Sequence, residues 1–276
     1  MTSATKRECM TQLTLLAGVL AVVVASILPA FARKAETGFL DRTVSVQGVT
    51  YRYQVYVPQT WNKNQKWPVI LFLHGYGERG GNGLRQTDVG IGHAIRISPT
   101  PLRFIVVMPQ CPTDQHVWIE PAMETQALAA LDQSIKEFHG DRDRVYLTGL
   151  SMGGYGTWDM AARYPSRFAA YVPICGGING PPAMRQMHVS MVDDPKVTDP
   201  YAETARRIGK TPVWIFHGAD DPAVPVEESR KMAEALKAAG GNVKYTEYPG
   251  TGHESWNQAY AEPALLPWLL QQRLAP

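Results

Sequence analysis

Three residues stand where they could carry out nucleophilic acyl transfer: Ser151, Asp221 and His253, in that chain order. Ser151 is the centre of Gly149-Leu150-Ser151-Met152-Gly153, between an apolar run at 145–148 and a helical pattern that stops before Pro165. A Gly-x-Ser-x-Gly in that setting predicts a turn so sharp that the flanking residues must be nearly free of side chain. The turn would lift the serine hydroxyl above a sheet, with the start of a helix behind it. Asp220 and Asp221 compete for the role of acid in Phe216-His217-Gly218-Ala219-Asp220-Asp221-Pro222. Asp221 is favoured because it directly precedes Pro222, in a turn, three residues ahead of Val224. His253 lies in Pro249-Gly250-Thr251-Gly252-His253, where glycines let a loop bring the imidazole over the serine. In such a set the histidine takes the serine proton and later returns it to the leaving group. The aspartate fixes the tautomer and stabilises the imidazolium.

A fourth stretch, His74-Gly75-Tyr76-Gly77-Glu78-Arg79-Gly80, completes the chemistry. Its glycines let backbone amides face a developing oxyanion, and the expected donors are the N–H groups of Tyr76 and Met152. His74 and His217 also end apolar runs, but each directly precedes a glycine, so both are read as holding backbone loops. Glu78 and Arg79 are read as bracing the glycine-rich loop. Trp118 and Trp256 are candidate walls of a substrate cleft.

These residues need a scaffold that presents them together. Residues 44–57 alternate apolar and polar around Gln47-Gly48, which predicts an antiparallel hairpin at a sheet edge. Continuous apolar runs follow at 68–73, 104–108, 145–148, 169–174 and 213–216, as expected for strands covered on both faces. A further strand is expected at 243–248. Helical patterns over 128–138, 202–208, 232–239 and 263–273 alternate with these runs. The reading is an α/β fold with a mostly parallel central sheet, helices on both faces and a starting hairpin. Ligands in such sheets bind beyond the carboxyl ends of the strands, which is where all four reactive stretches fall. The segment between the runs at 169–174 and 213–216 is too short for a large lid, so the site is expected to stay open to bulky or polymer-linked substrates.

At this point the chain resembles a known group. The stretches Leu73-His-Gly-Tyr-Gly-Glu-Arg-Gly80, Val106-Val-Met-Pro-Gln-Cys111, Gly149-Leu-Ser-Met-Gly-Gly-Tyr-Gly-Thr-Trp158, Pro173-Ile-Cys-Gly-Gly177 and His217-Gly-Ala-Asp-Asp221 carry the resemblance. They are similar to secreted α/β-hydrolases of the phospholipase/carboxylesterase-like group, often labelled predicted peptidases. That group is related to feruloyl, acetyl-xylan and polyhydroxybutyrate-depolymerase-like esterases. The similarity runs over nearly all of 42–273. It implies the α/β-hydrolase fold and hydrolysis of carboxylic esters, and it places nucleophile, acid and base on Ser151, Asp221 and His253. The peptidase label belongs to larger relatives with a gating domain, for which residues 33–276 leave no room. Peptidase or phospholipase activity and a catalytically silent binding protein are the alternatives.

Composition bounds the rest. Among 276 residues, 27 Lys and Arg balance 25 Asp and Glu, a formal net charge of +2. Nucleic-acid recognition needs a clustered basic surface, and no cluster is visible. The three cysteines (Cys9, Cys111 and Cys175) form no Cys-x-x-Cys pair, so no metal or other cofactor is expected. Cys111 and Cys175 end strands expected to lie three spacings apart, roughly 14 Å, too far for a disulfide. Lys6 and Arg7 precede a nearly uncharged apolar run over 13–28, then Pro29-Ala30-Phe31-Ala32. This layout predicts a signal peptide over 1–32, a single catalytic domain over 33–276, and a secreted or periplasmic protein. An uncleaved anchor is the alternative. No later segment is apolar enough to cross a membrane. The expected partner is a small-molecule or polymer-linked ester; the oligomeric state is not legible.

Overall fold

The computed structural model describes residues 36–98, 100–113 and 116–274. The leader over 1–32 lies outside the described residues. Among these residues eight strands form one sheet: β1 Gly38–Val46, β2 Val49–Val57, β3 Trp67–Leu73, β4 Ile105–Pro109, β5 Gly140–Leu150, β6 Ala170–Ile174, β7 Val213–Gly218 and β8 Val243–Tyr248. Their order is β1-β2-β4-β3-β5-β6-β7-β8. β1 pairs antiparallel with β2, and β2 with β4; every other pairing is parallel. The hairpin turns at Gln47 and Gly48, both at positive φ (51° and 82°), the geometry that matches the twist of paired strands.

Among the described residues seven helices cover the sheet: α1 Gly90–Ile97, α2 Pro121–Glu137, α3 Met152–Arg163, α4 Pro200–Ile208, α5 Glu227–Ala238, α6 Trp256–Ala261 and α7 Leu265–Leu270. β3, β4, β6 and β7 are buried along their whole lengths, which is why they read as unbroken apolar runs. Alternate side chains divide between two cores. Val69, Leu71 and Leu73 pack with Leu131, Trp158, Ile208 and Leu236 from α2 to α5. Ile70, Phe72 and Phe216 pack with Ile91, Ala259, Leu265 and Leu269 from α1, α6 and α7. Burying both faces in this way leaves the loops at the strands' carboxyl ends as the place for chemistry.

Some elements differ from the sequence expectation. The last helix, expected over 263–273, is shorter, α7 Leu265–Leu270, and a separate short helix that was not expected, α6 Trp256–Ala261, precedes it and ends ahead of Pro263. Proline disfavours helical geometry in the residue before it, and Glu262 takes an extended conformation (φ −62°, ψ 113°). α1, with two glycines in eight residues, carried no legible pattern. β5 begins at Gly140 rather than 145, because its first residues are polar. Cys111 and Cys175 follow β4 and β6, with β3 and β5 between them, and both thiols are free and buried. Among the described residues no helix is long and apolar enough to cross a membrane.

Candidate active site

The turn between β5 and α3 holds Ser151 at φ 51°, ψ −117°, a conformation an L-residue adopts only when its surroundings enforce it. Two close approaches enforce it here. A Cβ on Gly153 would stand 1.9 Å from the Leu73 carbonyl oxygen, and one on Gly149 would stand 2.2 Å from that of Gly153. The Ser151 N–H donates to the Ile174 carbonyl at 3.0 Å, tying the turn to β6. Ser151 Oγ is therefore fixed at the carboxyl end of the sheet, with Met152 opening α3 directly behind it.

His253, on the loop between β8 and α6, places Nε2 2.9 Å from Ser151 Oγ and Nδ1 2.7 Å from Asp221 Oδ2. The structure thus brings Ser151, His253 and Asp221 into one hydrogen-bonded chain. Asp220 is exposed on the same loop and takes no part in it. The Asp221 side chain is fully buried. Its Oδ1 accepts the N–H groups of Ala223 (2.8 Å) and Val224 (2.9 Å), and its Oδ2 faces His217 Nε2 (3.1 Å) as well as His253. Burial by itself would raise the Asp221 carboxyl, but donation from His217, His253 and the Val224 amide holds it well below the ordinary carboxylate range. The acid of this set stays ionised.

The loop after β3 brings Gly75 against the serine: a Cβ there would lie 2.9 Å from Leu150 Cδ1 and 3.8 Å from Ser151 Cβ. Tyr76 follows it and opens a single 3-10 turn, Tyr76–Glu78. Neither the Tyr76 nor the Met152 N–H enters a backbone–backbone hydrogen bond outside regular elements among the described residues. The loop is braced from beneath by His74, fully buried, which donates Nδ1–H to the Gly75 carbonyl (2.6 Å) and accepts the Cys111 N–H at Nε2 (3.0 Å). Burial lowers the His74 pKa to about 4, so it is neutral and able to play both parts. Arg79 holds the loop from above. Its guanidinium lies 3.3 Å from the Tyr76 ring centroid and donates to the carbonyls of Tyr76 (3.1 Å) and His116 (3.3 Å). Glu78, turned back toward Gly75, is raised by burial against the pull of the Gly75 amide.

The two tryptophans part company. Trp256 is partly exposed and meets the His253 ring edge-on, with centroids 5.4 Å apart. Trp118 does not line a cleft. It is fully buried, packs against the His74 ring at 5.1 Å and donates Nε1–H to the His74 carbonyl at 3.0 Å. Its indole satisfies a buried carbonyl and supports the loop that carries Tyr76. Two cavities reach residues beside the set, Tyr76 and Trp256, and neither is lined by Ser151, Asp221 or His253. A cleft of about 680 Å³ between Tyr76, Arg79, Arg163, Met184, Met187 and His188 adjoins the loop after β3. An apolar hollow of about 520 Å³ lies between α1 and α6–α7, with Trp256 as one wall.

Sequence reasoning missed two features. One is the contact of His217 with Asp221, for which the spacing of four residues at the end of β7 was the available signal. The other is Cys175, whose Sγ lies with ligand atoms of Asp221 and His253 inside a mutual distance of 4.8 Å. That is the one group of three potential metal ligands found among the described residues, and two of its members are already committed to hydrogen bonds with each other. The Cys175 thiol is fully buried, and burial pushes its pKa far above the usual thiol range.

Strand order, the serine on a strained strand-to-helix turn, and acid and histidine on the loops after β7 and β8 define an α/β-hydrolase. Residues 124–273, more than half of the chain, match the profile of the prolyl oligopeptidase family. The chain belongs to that family. It is 27% identical over 244 residues to an uncharacterized secreted protein of Arthroderma benhamiae, covering 81% of this chain and 26% of that protein. It is 32% identical over 135 residues to a bifunctional acetylxylan esterase/xylanase of Neocallimastix patriciarum, covering 48% of this chain and 19% of that enzyme. The chain therefore spans about a quarter or less of either curated relative. The solved structure of a thermostable esterase superposes with a TM-score of 0.68 at 31% identity, over 85% of this chain and 63% of that one.

Proposed function

We propose that the protein is a serine hydrolase of carboxylic esters that works through an acyl-enzyme on Ser151. The observation that carries this reading is the unbroken chain Ser151 Oγ to His253 Nε2 (2.9 Å) and His253 Nδ1 to Asp221 Oδ2 (2.7 Å). His253 accepts the hydroxyl proton as Ser151 attacks the ester carbonyl. The oxyanion is met by the N–H groups of Tyr76 and Met152, and the imidazolium returns its proton to the departing alcohol. Water, activated by the same histidine, then releases the acid. Asp221, ionised and held by four donors, keeps Nδ1–H directed at itself and Nε2 free for the serine.

The substrates we assign are short-acyl, aromatic or sugar-linked esters, small or attached to a polymer. The esterase names of the relatives and the open cleft beside Tyr76 support this reading. The Trp256 ring beside His253 also suits a stacked ring, worth about 0.5–1.5 kcal/mol beyond burial. The family match favours a second reading, a serine peptidase. Acetyl to palmitoyl nitrophenyl esters, feruloyl and acetylated-sugar esters, and prolyl and aminoacyl anilides compared in one panel separate the two. The expected result is fast turnover of esters with rates falling beyond butyryl; turnover of anilides alone would replace the esterase reading with the peptidase one. Export through a cleaved leader over 1–32, leaving the domain at 33–276, completes the proposal. Its check is the N-terminal residue of the protein recovered outside the cytoplasm, expected to be Arg33.

A further inference from the structure

We propose that His217 is a positioning residue of the triad: its Nε2–H shares Asp221 Oδ2 with His253 and limits how strongly that oxygen holds the His253 Nδ1 proton. The proposal rests on the reading of Ser151, His253 and Asp221 given above. His217 lies in β7, four residues before Asp221, and its imidazole is fully buried. Nε2 is 3.1 Å from Asp221 Oδ2 and 3.1 Å from the Val224 carbonyl, while Nδ1 is 2.7 Å from Ser229 Oγ on α5. The Val224 carbonyl and the ionised carboxylate only accept, so Nε2 carries the hydrogen and shares it between them. Nδ1 is then the acceptor for the Ser229 hydroxyl. The two acceptors at Nε2 thereby select the tautomer, and the Ser229 hydroxyl, able to donate or accept, turns to suit it.

Two consequences follow from one oxygen having two imidazole donors. The first is geometric. Val224 gives its N–H to Asp221 Oδ1 and its carbonyl to His217 Nε2, so one histidine anchors both the carboxylate and the loop that bears it. The second is electrostatic. Each donor to Oδ2 draws on the same electron density, so removing His217 strengthens the bond to His253 Nδ1–H and favours the imidazolium. The base would then be protonated at higher pH. Other titratable groups around the pair are Cys175 after β6, Tyr155 on α3, Glu228 on α5 and Glu247 on β8. Asp220 and Glu254 lie on the flanking loops. Burial pushes Cys175 and Tyr155 far up, and Arg230 and Tyr245 hold Glu247 at about 2, so none of these three changes charge in mild acid. Asp220, Glu228 and Glu254 are common to all variants and cancel in the comparison.

The test measures pH profiles of kcat and KM on a butyryl nitrophenyl ester for wild type, His217→Leu, His217→Asn and His217→Gln. Leucine removes the donor. Asparagine reaches only as far as ring Nδ1, whereas the longer glutamine amide reaches the place of Nε2. In the Leu and Asn variants kcat falls about tenfold or more with KM within about twofold. The acidic limb of kcat/KM moves up by about one pH unit, and glutamine restores it. Should the Leu variant fail to fold, the Asn and Gln pair decides. An acidic limb that stays in place in the Asn variant overturns the proposal, as does a glutamine variant no better than asparagine. Fluorophosphonate labelling of wild type separates the two levels: a labelled Ser151 with an unmoved limb overturns the role of His217 alone. An unlabelled, inactive wild type overturns the triad reading and this proposal with it.

Discussion

Replacing Glu124 with glutamine should change how stability depends on pH while leaving the fold intact. Glu124 on α2 and Asp159 on α3 are both fully buried. Asp159 Oδ1 accepts the N–H and the hydroxyl of Ser190, each at 2.6 Å, and Glu124 Oε2 accepts the Tyr164 hydroxyl at 3.2 Å. Glu124 Oε1 and Asp159 Oδ2 have no hydrogen-bond partner, and Arg163 Nη1 stands 3.8 Å from the latter. Two buried carboxyls this close favour a proton held on one of them. Burial, with Asp159 adding to it, raises Glu124 to about 9, against a partial pull downward from Arg163 at 3.3 Å. The folded chain therefore keeps a proton that the unfolded chain releases above about pH 4.5. Its share of stability is whole in acid, drains away as pH rises, and is constant again above the folded value. The slope is at most about 1.4 kcal/mol per pH unit, so roughly 2–4 kcal/mol separates pH 5 from pH 8 on this account. Glutamine does not ionise and removes that slope. Urea unfolding of both proteins at pH 5, 6.5 and 8 reads the difference, since all other titrations are shared. Glu124→Gln is expected to overtake wild type as pH rises. Parallel stability curves would refute the retained proton.

Three further outcomes are expected. Gly153→Ala places a Cβ 1.9 Å from the Leu73 carbonyl oxygen, against backbone that cannot yield cheaply; it should cost about 3 kcal/mol or more in chemical unfolding. Asp221→Asn should lower kcat by about 10⁴, while Asp220→Asn, altering an exposed side chain, should stay within about twofold. Cys111 and Cys175, buried thiols (Cys111 pushed up to about 12), should resist iodoacetamide in the native protein and react once it is unfolded, as mass spectrometry of the alkylated chain will read.

The parts of the fold legible in the sequence are those where burial is one-signed. β3 and β6 are buried at every position, so apolar runs marked them, and β8 fell on its expected residues. α1 and the polar start of β5 carried no such signal, because two glycines and a row of charges blur any period. The site was legible for a related reason: reactive side chains stood directly after apolar runs, and a parallel sheet gathers those ends on one side. Reading contacts within that side was harder. Trp118 follows a polar stretch that resembles a surface loop, yet its indole fills the space under His74. The bond from His217 to Asp221 depends on how the chain turns after β7, which residue types alone do not specify.

The most direct test of the account is the covalent state of Ser151 during turnover. A short-acyl nitrophenyl ester mixed with the protein and quenched in acid should leave one acyl group on the peptide containing Ser151, read by mass spectrometry. Ser151→Ala should show neither the adduct nor turnover above a residual several orders of magnitude lower. Steady hydrolysis without an adduct, retained by Ser151→Ala, would contradict it.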